Sequence, residues 1–149
     1  MSTFRTPKTN PMAELSIDEG RLNAVVMERL SVFHRGFTSR VATTARGLAP
    51  ERSGALKAAI REDPQRRSGP WTIDGGVSVD VPYAAAVHEG ARPHVIRARR
   101  APFLRFYWPK VGRVVFFKKV NHPGNAPNPF LTNAGHRVAS EDPRITFTG

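Results

Sequence analysis

The stretch VNHPGNAPNPFLTNA, from Val120 to Ala134, joins a basic segment to the last apolar run of the chain. Its three prolines restrict the backbone before an apolar pair begins. Asn128 followed by Pro129 is typical of a helix N-cap with proline at the first helical position. Phe130 and Ala134 then recur at helical spacing. We predict a stiff elbow that sets the angle between the basic segment and a final helix.

A long apolar stripe near the start of the chain predicts a second, longer helix. Ser16 and Glu19 have the spacing of a capping box, and Pro50 follows the last apolar position. The stripe repeats at helical intervals through Leu22, Val26, Leu30, Phe33, Phe37, Val41 and Leu48. A helix of about 30 residues is about 45 Å long. Because that is long for a small domain, we expect other copies of the chain to pack against it.

The middle of the chain predicts short elements. Pro50 to Ile60 indicates a turn and a short amphipathic segment, and Arg61 to Pro70 indicates a polar loop. Trp71 to Tyr83 predicts a hairpin that turns at Asp74 to Gly76. Tyr83 to Gly90 predicts one or two helical turns.

Two runs rich in β-branched and aromatic residues, HVIRARRAPFLRFYW and GRVVFFKKV, predict a second, longer hairpin that turns near Pro109 to Gly112. The expected fold class is α+β, with a long N-terminal helix and a short C-terminal helix packed on a small, mostly antiparallel sheet with a long basic β-hairpin. We expect an extended N-terminal arm over 1–15, a single domain over 16–140 and a C-terminal tail over 141–149.

Positive charge is concentrated in one part of the chain. The formal net charge is +11, and no Asp or Glu occurs between Gly90 and Ser140. This asymmetry predicts a surface that faces phosphate or an acidic protein partner. The candidate residues are Arg97, Arg99, Arg100, Arg105, Lys110, Arg113, Lys118 and Lys119.

The same segment is rich in aromatic residues, which permits two interpretations. Single-strand binders combine cations with aromatic rings on which bases stack. Strand alternation alone would instead turn the rings toward the core and the cations toward solvent or an acidic neighbour. We favour the second interpretation, in which the charge acts on passing nucleic-acid backbone without reading its sequence. The aromatic residues are Phe103, Phe106, Tyr107, Trp108, Phe116 and Phe117.

Catalytic and metal-binding motifs are missing from the sequence. The chain has no cysteine, which excludes disulfides and thiol nucleophiles. The spacing of its histidines matches no common zinc arrangement, and no nucleophile elbow or phosphate-binding glycine loop occurs. We therefore expect no enzyme activity, no metal and no cofactor, and a hydrolase that uses His88 and Glu89 is only a third hypothesis. The absence of a signal-peptide core and of a long apolar run predicts a soluble cytoplasmic product without a membrane span.

Several modest motifs follow one another in a characteristic order. They are Arg52-Ser53-Gly54 with Leu56 and Ile60, Tyr83-Ala84 with Val87, Glu89 and Gly90, and His122-Pro123-Gly124 with Pro127, Pro129, Phe130, Leu131 and Ala134. With this order, residues 22–138 resemble the tail-component family of long-tailed bacteriophages. The chain departs from the family at Ala91, where a small residue such as threonine is common.

The resemblance implies a structural virion protein at the head-to-tail joint, acting as a neck, tail-completion or tail-terminator ring. It implies a hexameric or dodecameric homo-oligomer, assembled in the host bacterial cytoplasm, that contacts other neck proteins (adaptor or stopper) and tail tube or terminator proteins. Genome DNA would pass through the lumen without sequence-specific contacts. The expected subunit contacts are Phe33, Phe37, Tyr83, Glu89, Pro129, Phe130 and Leu131.

A basic nucleic-acid-binding protein of ribosome or nucleoid type is the alternative function. The net charge and the basic hairpin motivate it.

Overall fold

The computed structural model describes residues 16–51 and 54–146, and the N-terminal arm predicted over 1–15 lies outside them. These residues form an α+β fold, which confirms the predicted class. The elements are α1 (Glu19–Leu48), α2 (Ala55–Ala58), β1 (Ile60–Glu62), β2 (Arg66–Gly69), β3 (Thr72–Asp74), β4 (Val77–Val79), α3 (Ala84–His88), β5 (His94–Arg97), β6 (Leu104–Trp108), β7 (Arg113–Phe117), β8 (Lys119–His122) and α4 (Phe130–Ser140).

The strands form two long, nested hairpins. In the first hairpin, residues 60–79, β1 pairs with β4 and β2 pairs with β3. In the second, residues 94–122, β5 pairs with β8 and β6 pairs with β7. We call this second element the basic hairpin. All four pairs are antiparallel, so the small sheet expected from the sequence is divided into separate two-stranded ribbons within the described residues.

The hairpin predicted within Trp71 to Tyr83 is wrong. β3 and β4 flank Asp74 to Gly76, but they pair with β2 and β1, and the chain turns between Gly69 and Thr72. The polar segment predicted as a loop, Arg61 to Pro70, therefore supplies the last two residues of β1 and all of β2. The pairing of Ile60 with Val79 explains this choice, because it places both side chains against the same core. A turn after Asp74 would leave Ile60 without that neighbour.

The long helix α1 has the 30 residues expected, but its predicted N-terminal cap is wrong. Asp18 is the N-cap residue, and its carboxylate accepts a hydrogen bond of 3.0 Å from the backbone N–H of Arg21. A charged N-cap directly before the helix satisfies a free N–H group and interacts favourably with the helix dipole. The predicted pair of Ser16 and Glu19 does not form the capping box.

The core lies between the C-terminal half of α1 and α4. Ala42, Ala45 and Ala134 are fully buried, and their small side chains let the two helices approach closely. Phe130 and Ile60 are the largest fully buried side chains. The remaining members of the buried cluster are Val41, Ala49, Leu56 and Val138.

The chain after α4 folds back onto α1. Asp142 is buried, and its carboxylate accepts hydrogen bonds from the backbone N–H and the guanidinium of Arg144. Those hydrogen bonds lower the pKa of Asp142 from 3.8 to about 2. The Arg144 guanidinium also lies 4.8 Å from the centre of the Phe33 ring, and Glu141 pairs with Arg40. The first residues of the predicted C-terminal tail thus cover part of α1.

We expect Asp142→Asn to lower the thermal unfolding midpoint at neutral pH. A carboxylate with a depressed pKa stabilises the fold above its ordinary pKa and stops doing so once it is protonated. The difference between wild type and variant should therefore shrink as the pH falls from 3.8 to about 2. Thermal unfolding followed by circular dichroism across this range measures it.

Asp80→Asn is the control, because it removes a carboxylate from the exposed pair with Arg61. Exposed pairs contribute only about 0–1 kcal/mol. A difference for Asp142→Asn that stayed constant down to pH 2 would contradict the assignment of the stabilising interaction to the ionised carboxylate.

Candidate interaction surfaces

The basic hairpin is a two-stranded ribbon outside the core. Within the described chain, no residue of the basic hairpin belongs to the core cluster, and none of its apolar side chains packs against that cluster. Tyr107 is 59% exposed and Phe116 is 60% exposed. The favoured expectation that these aromatic rings turn toward the core is therefore wrong. Successive side chains of a β-strand point to opposite faces. Because this two-stranded ribbon has no core on either side, its aromatic residues are distributed over two exposed faces.

The eight basic residues predicted to face DNA or an acidic partner all lie on this ribbon and are all exposed. Within the part of the chain that the structure describes, none of their side chains makes an ion pair or hydrogen bond with another protein group. Their charges are therefore available to a polyanion. The residues are Arg97, Arg99, Arg100, Arg105, Lys110, Arg113, Lys118 and Lys119.

An inserted loop interrupts the ribbon and carries part of this charge. The pairing of β5 with β8 continues to Ala98, whose N–H donates to the carbonyl of Lys118 at 3.1 Å. The pairing of β6 with β7 begins where Leu104 faces Phe117. Residues 99–103 are therefore extra on one strand. This loop exposes two arginines and Phe103, whose exposure is 46%. The sequence alone suggested a regular strand here.

One face of the basic hairpin forms an aromatic groove. The rings of Phe106 and Phe117 have centroids 6.2 Å apart, and Trp108 lies edge-on to Phe117 at 6.0 Å. Lys110 and Lys119 also line the groove, whose volume is about 510 Å³. We call this feature the aromatic groove. It combines apolar ring surface with two unpaired cations.

A second surface with exposed apolar side chains lies on the N-terminal part of α1 and the residue before its cap. We call residues 17–33 the helix extension. Every buried residue of α1 lies at Thr38 or beyond, whereas Leu22 is 49% exposed and Val32 is 61% exposed. Of the sixteen exposed large apolar side chains in the described residues, five lie on the helix extension and nine on the basic hairpin.

Backbone hydrogen bonds fix the proline-rich elbow against α3 and the segment that follows it. Ala91 and Asn125 exchange both of their backbone bonds, at 3.1 and 2.9 Å, and the N–H of Asn128 donates to the carbonyl of Val87 at 3.0 Å. The Asn125 amide also donates to the Ala86 carbonyl at 2.8 Å. The elbow therefore sets the distance between α3 and α4.

The predicted cap at Asn128 is wrong by one residue. Pro129 occupies the N-cap position with non-helical backbone angles, and Phe130 is the first helical residue. Asn128 belongs to the elbow because its backbone N–H bonds to α3.

The expected ring-contact residues divide into three groups by exposure. Phe130 is fully buried inside the subunit and lies edge-on to His88 with ring centroids 5.6 Å apart. Because the Phe130 side chain is enclosed by the core of its own subunit, it has no surface that a neighbouring subunit could contact. The assignment of Phe130 as a subunit contact is therefore wrong. Pro129, Leu131 and Phe37 are half-buried, and the last two pack against the core. Phe33, Tyr83 and Glu89 are exposed.

The histidines form local contacts with protein groups. His88 lies 3.3 Å from the hydroxyl of Thr132, and His94 stacks on His122 with ring centroids 5.1 Å apart. Both residues of the stacked pair line an open cleft of about 910 Å³ between α3 and the base of the basic hairpin. Within residues 16–51 and 54–146, no group of three or more His, Asp or Glu side chains is placed to hold a metal ion. No helix in the same ranges is long and apolar enough to cross a membrane.

Comparisons with known proteins give no match. Neither the models of known protein families nor the curated protein sequences match this chain, and no solved structure matches its fold.

We expect Gly124→Ala to destabilise the fold by more than the cost of placing alanine at a positive φ angle. Gly124 has φ +83°, and a Cβ there would lie 2.2 Å from the carbonyl oxygen of Ala91. Gly54→Ala is the matched control, since Gly54 has φ +71° and a Cβ there meets nothing within 4 Å. The control should cost about 1–2 kcal/mol, and Gly124→Ala about 1–3 kcal/mol more. Equal costs in chemical denaturation would show that the elbow does not need this close approach.

We expect Phe130→Ala to destabilise the isolated subunit by about 3–5 kcal/mol, as typical for a fully buried phenylalanine. Phe116→Ala, at a side chain 60% exposed, should change stability by about 0.5 kcal/mol or less. Urea unfolding of both variants under conditions that favour single subunits provides the comparison. A small effect of Phe130→Ala on folding, with loss of assembly, would restore the contact role for this residue.

Proposed function

We propose that this chain is a structural virion protein of a long-tailed bacteriophage, and that it forms a ring at the joint between head and tail. In this role it acts as a neck, tail-completion or tail-terminator protein and connects the DNA-filled head to the tail. The observation that carries the proposal is the location of the exposed apolar side chains. Fourteen of the sixteen in the described residues lie on the helix extension and the basic hairpin. Apolar surface concentrated in this way is typical of surfaces that partners cover.

The two surfaces suit a closed ring because they are different from each other. A head-to-tail contact joins one surface of a subunit to another surface of the next, and rotation closes such contacts into a ring. A hexamer or dodecamer would cover the helix extension of every copy. Other neck proteins, such as an adaptor or stopper, and tail tube or terminator proteins would contact the two ends of the ring.

The unpaired cations of the basic hairpin support a place for DNA in this assembly. Eight exposed basic side chains without acidic neighbours interact favourably with phosphate backbone, and such contacts carry no sequence information. Genome DNA passing through the lumen therefore needs no base-specific site. The proposal assigns no catalytic residue and no cofactor to the chain.

The ordered motifs are the second support. Gly124 of the third motif allows the elbow to approach the carbonyl oxygen of Ala91 closely, and Phe130 of the same motif is fully buried in the core. The resemblance to phage tail components thus rests partly on residues with a definite structural role in this subunit.

A basic nucleic-acid-binding protein of ribosome or nucleoid type is the second candidate. The observation that favours it is the exposure of aromatic and basic side chains together on the basic hairpin. This candidate functions as a free subunit, whereas the favoured one functions as an assembly. Oligomeric state at physiological salt therefore separates them.

We expect Val32→Glu to convert the assembled protein into single subunits. Val32 is 61% exposed on the helix extension, so a charge there costs little within the subunit but is unfavourable in an apolar contact. Ser39→Glu places the same charge on an exposed part of the same helix and is the control. Light scattering coupled to size exclusion should report a closed oligomer for wild type and control.

A wild-type protein that stays monomeric at all concentrations would contradict the ring. So would a virion, imaged by electron cryo-microscopy, that lacks this chain between portal and tail tube. An assembling Val32→Glu variant would show that the helix extension is not a subunit contact.

A further inference from the structure

We propose that the aromatic groove of the basic hairpin binds single-stranded nucleic acid, with bases stacked on Trp108 and Phe117 and phosphates held by Lys110 and Lys119. This goes beyond the ring, in which DNA passes without base contacts, and it does not depend on assembly.

The register of the basic hairpin places the rings of Phe106, Trp108 and Phe117 on one face. Phe117 faces Leu104, Val115 faces Phe106 and Arg113 faces Trp108, and facing residues of an antiparallel pair project from the same side. Phe117 is 39% exposed and Trp108 is 38% exposed, so both rings keep surface open to a ligand. Aromatic side chains presented in this way are the platforms on which single-strand binders stack bases.

The two lysines lie on either side of the rings along the ribbon. Lys110 follows β6 in the turn at the tip, and Lys119 begins β8 on the side toward the body. Both line the groove, and neither has an acidic partner in the described structure. A strand with bases over Phe117 and Trp108 would therefore pass a cation before and after the stacked bases. The groove volume of about 510 Å³ is in the usual range for small-ligand sites.

Charge favours nucleic acid over a second copy of the chain as the occupant. The groove lies in a segment, Gly90 to Ser140, that contains no Asp or Glu. The helix extension of another copy offers three acidic residues, Asp18, Glu19 and Glu28, but also Arg21 and Arg29, so its net charge is only −1. A single strand offers one phosphate per nucleotide together with flat, apolar base faces. In a duplex those faces are stacked on each other, so the groove should prefer single strands.

Two neighbouring residue pairs provide matched variants. Phe117 and Lys119 line the groove, whereas Phe116 and Lys118 are not among the residues that line it. Phe117→Leu and Phe116→Leu make the same chemical change at adjacent positions. Lys119→Gln and Lys118→Gln likewise remove the same charge from the ribbon. The comparison within each pair separates binding in the groove from general attraction to a basic protein.

The binding experiment uses the fluorescence of Trp108 in the full chain. The protein has two tryptophans, and Trp71→Phe in the first hairpin leaves Trp108 as the only one. Titration with an oligothymidine of about 16 nucleotides should quench this fluorescence. The duplex of the same length should bind more weakly and quench less.

Phe117→Leu should weaken binding by at least about fivefold, which matches the loss of part of one base-stacking contact. Lys119→Gln should weaken binding and reduce its salt dependence by more than Lys118→Gln does, and Phe116→Leu should have little effect on binding. Circular dichroism of each variant checks that the ribbon is retained.

Three results would overturn the proposal. The first is an absence of quenching by the oligothymidine even at low salt. The second is an equal effect of the two lysine variants with no effect of Phe117→Leu, which indicates general electrostatic attraction. The third is a change in Trp108 fluorescence that depends on protein concentration alone and is accompanied by loss of oligonucleotide binding on assembly. That result would indicate that a second copy of the chain occupies the groove.

Discussion

The packing of α4 against the C-terminal half of α1 holds the other elements in place. Phe130 fills the centre of this contact, and the alanines around it let the helix axes come close. The first hairpin adds Ile60 to the same core, and the elbow fixes α3 beside Phe130 through His88. Backbone hydrogen bonds, rather than a conventional side-chain cap, determine where α4 begins. The proline-rich stretch therefore positions a core residue and does not present one to a neighbour.

A core of this extent leaves two parts of the chain without apolar partners. The helix extension continues α1 beyond its last buried residue, and the basic hairpin continues the strands beyond the body. A two-stranded ribbon gains little stability on its own in water. The chain nevertheless concentrates nine of its exposed large apolar side chains there. The partner binding proposed above would explain both features at once, because it would bury apolar surface that the subunit cannot bury.

The sequence predicted the elements whose signals are local. The stripe from Leu22 to Leu48 predicted α1, and the paired runs around Pro109 to Gly112 predicted the basic hairpin. The strand pairing of the first hairpin was not predicted, because Asp74-Gly75-Gly76 is a local turn signal that the contact of Ile60 with the core overrides. Tertiary packing of this kind has no signature within a short window.

The candidate surfaces were predicted less completely than the fold. The eight cations were found from charge alone, but strand alternation cannot show whether a core lies beside the ribbon, so the exposure of Tyr107 and Phe116 was missed. Phe130 was assigned to a subunit contact because a sequence motif does not show whether a side chain is buried inside its own subunit or against a neighbouring subunit. The absence of acidic residues across Gly90 to Ser140 was the signal that located these exposed cations.

Hydrogen–deuterium exchange, measured at several protein concentrations, tests most directly whether the helix extension and the basic hairpin are completed by partners. Amides around Val41, Ile60 and Val138 should exchange slowly at every concentration, because they lie in the core. Amides of residues 17–33 and 94–122 should exchange rapidly in dilute protein and become protected as it assembles. Slow exchange of both surfaces in the dilute monomer would contradict the account, since it would show that the subunit stabilises them alone.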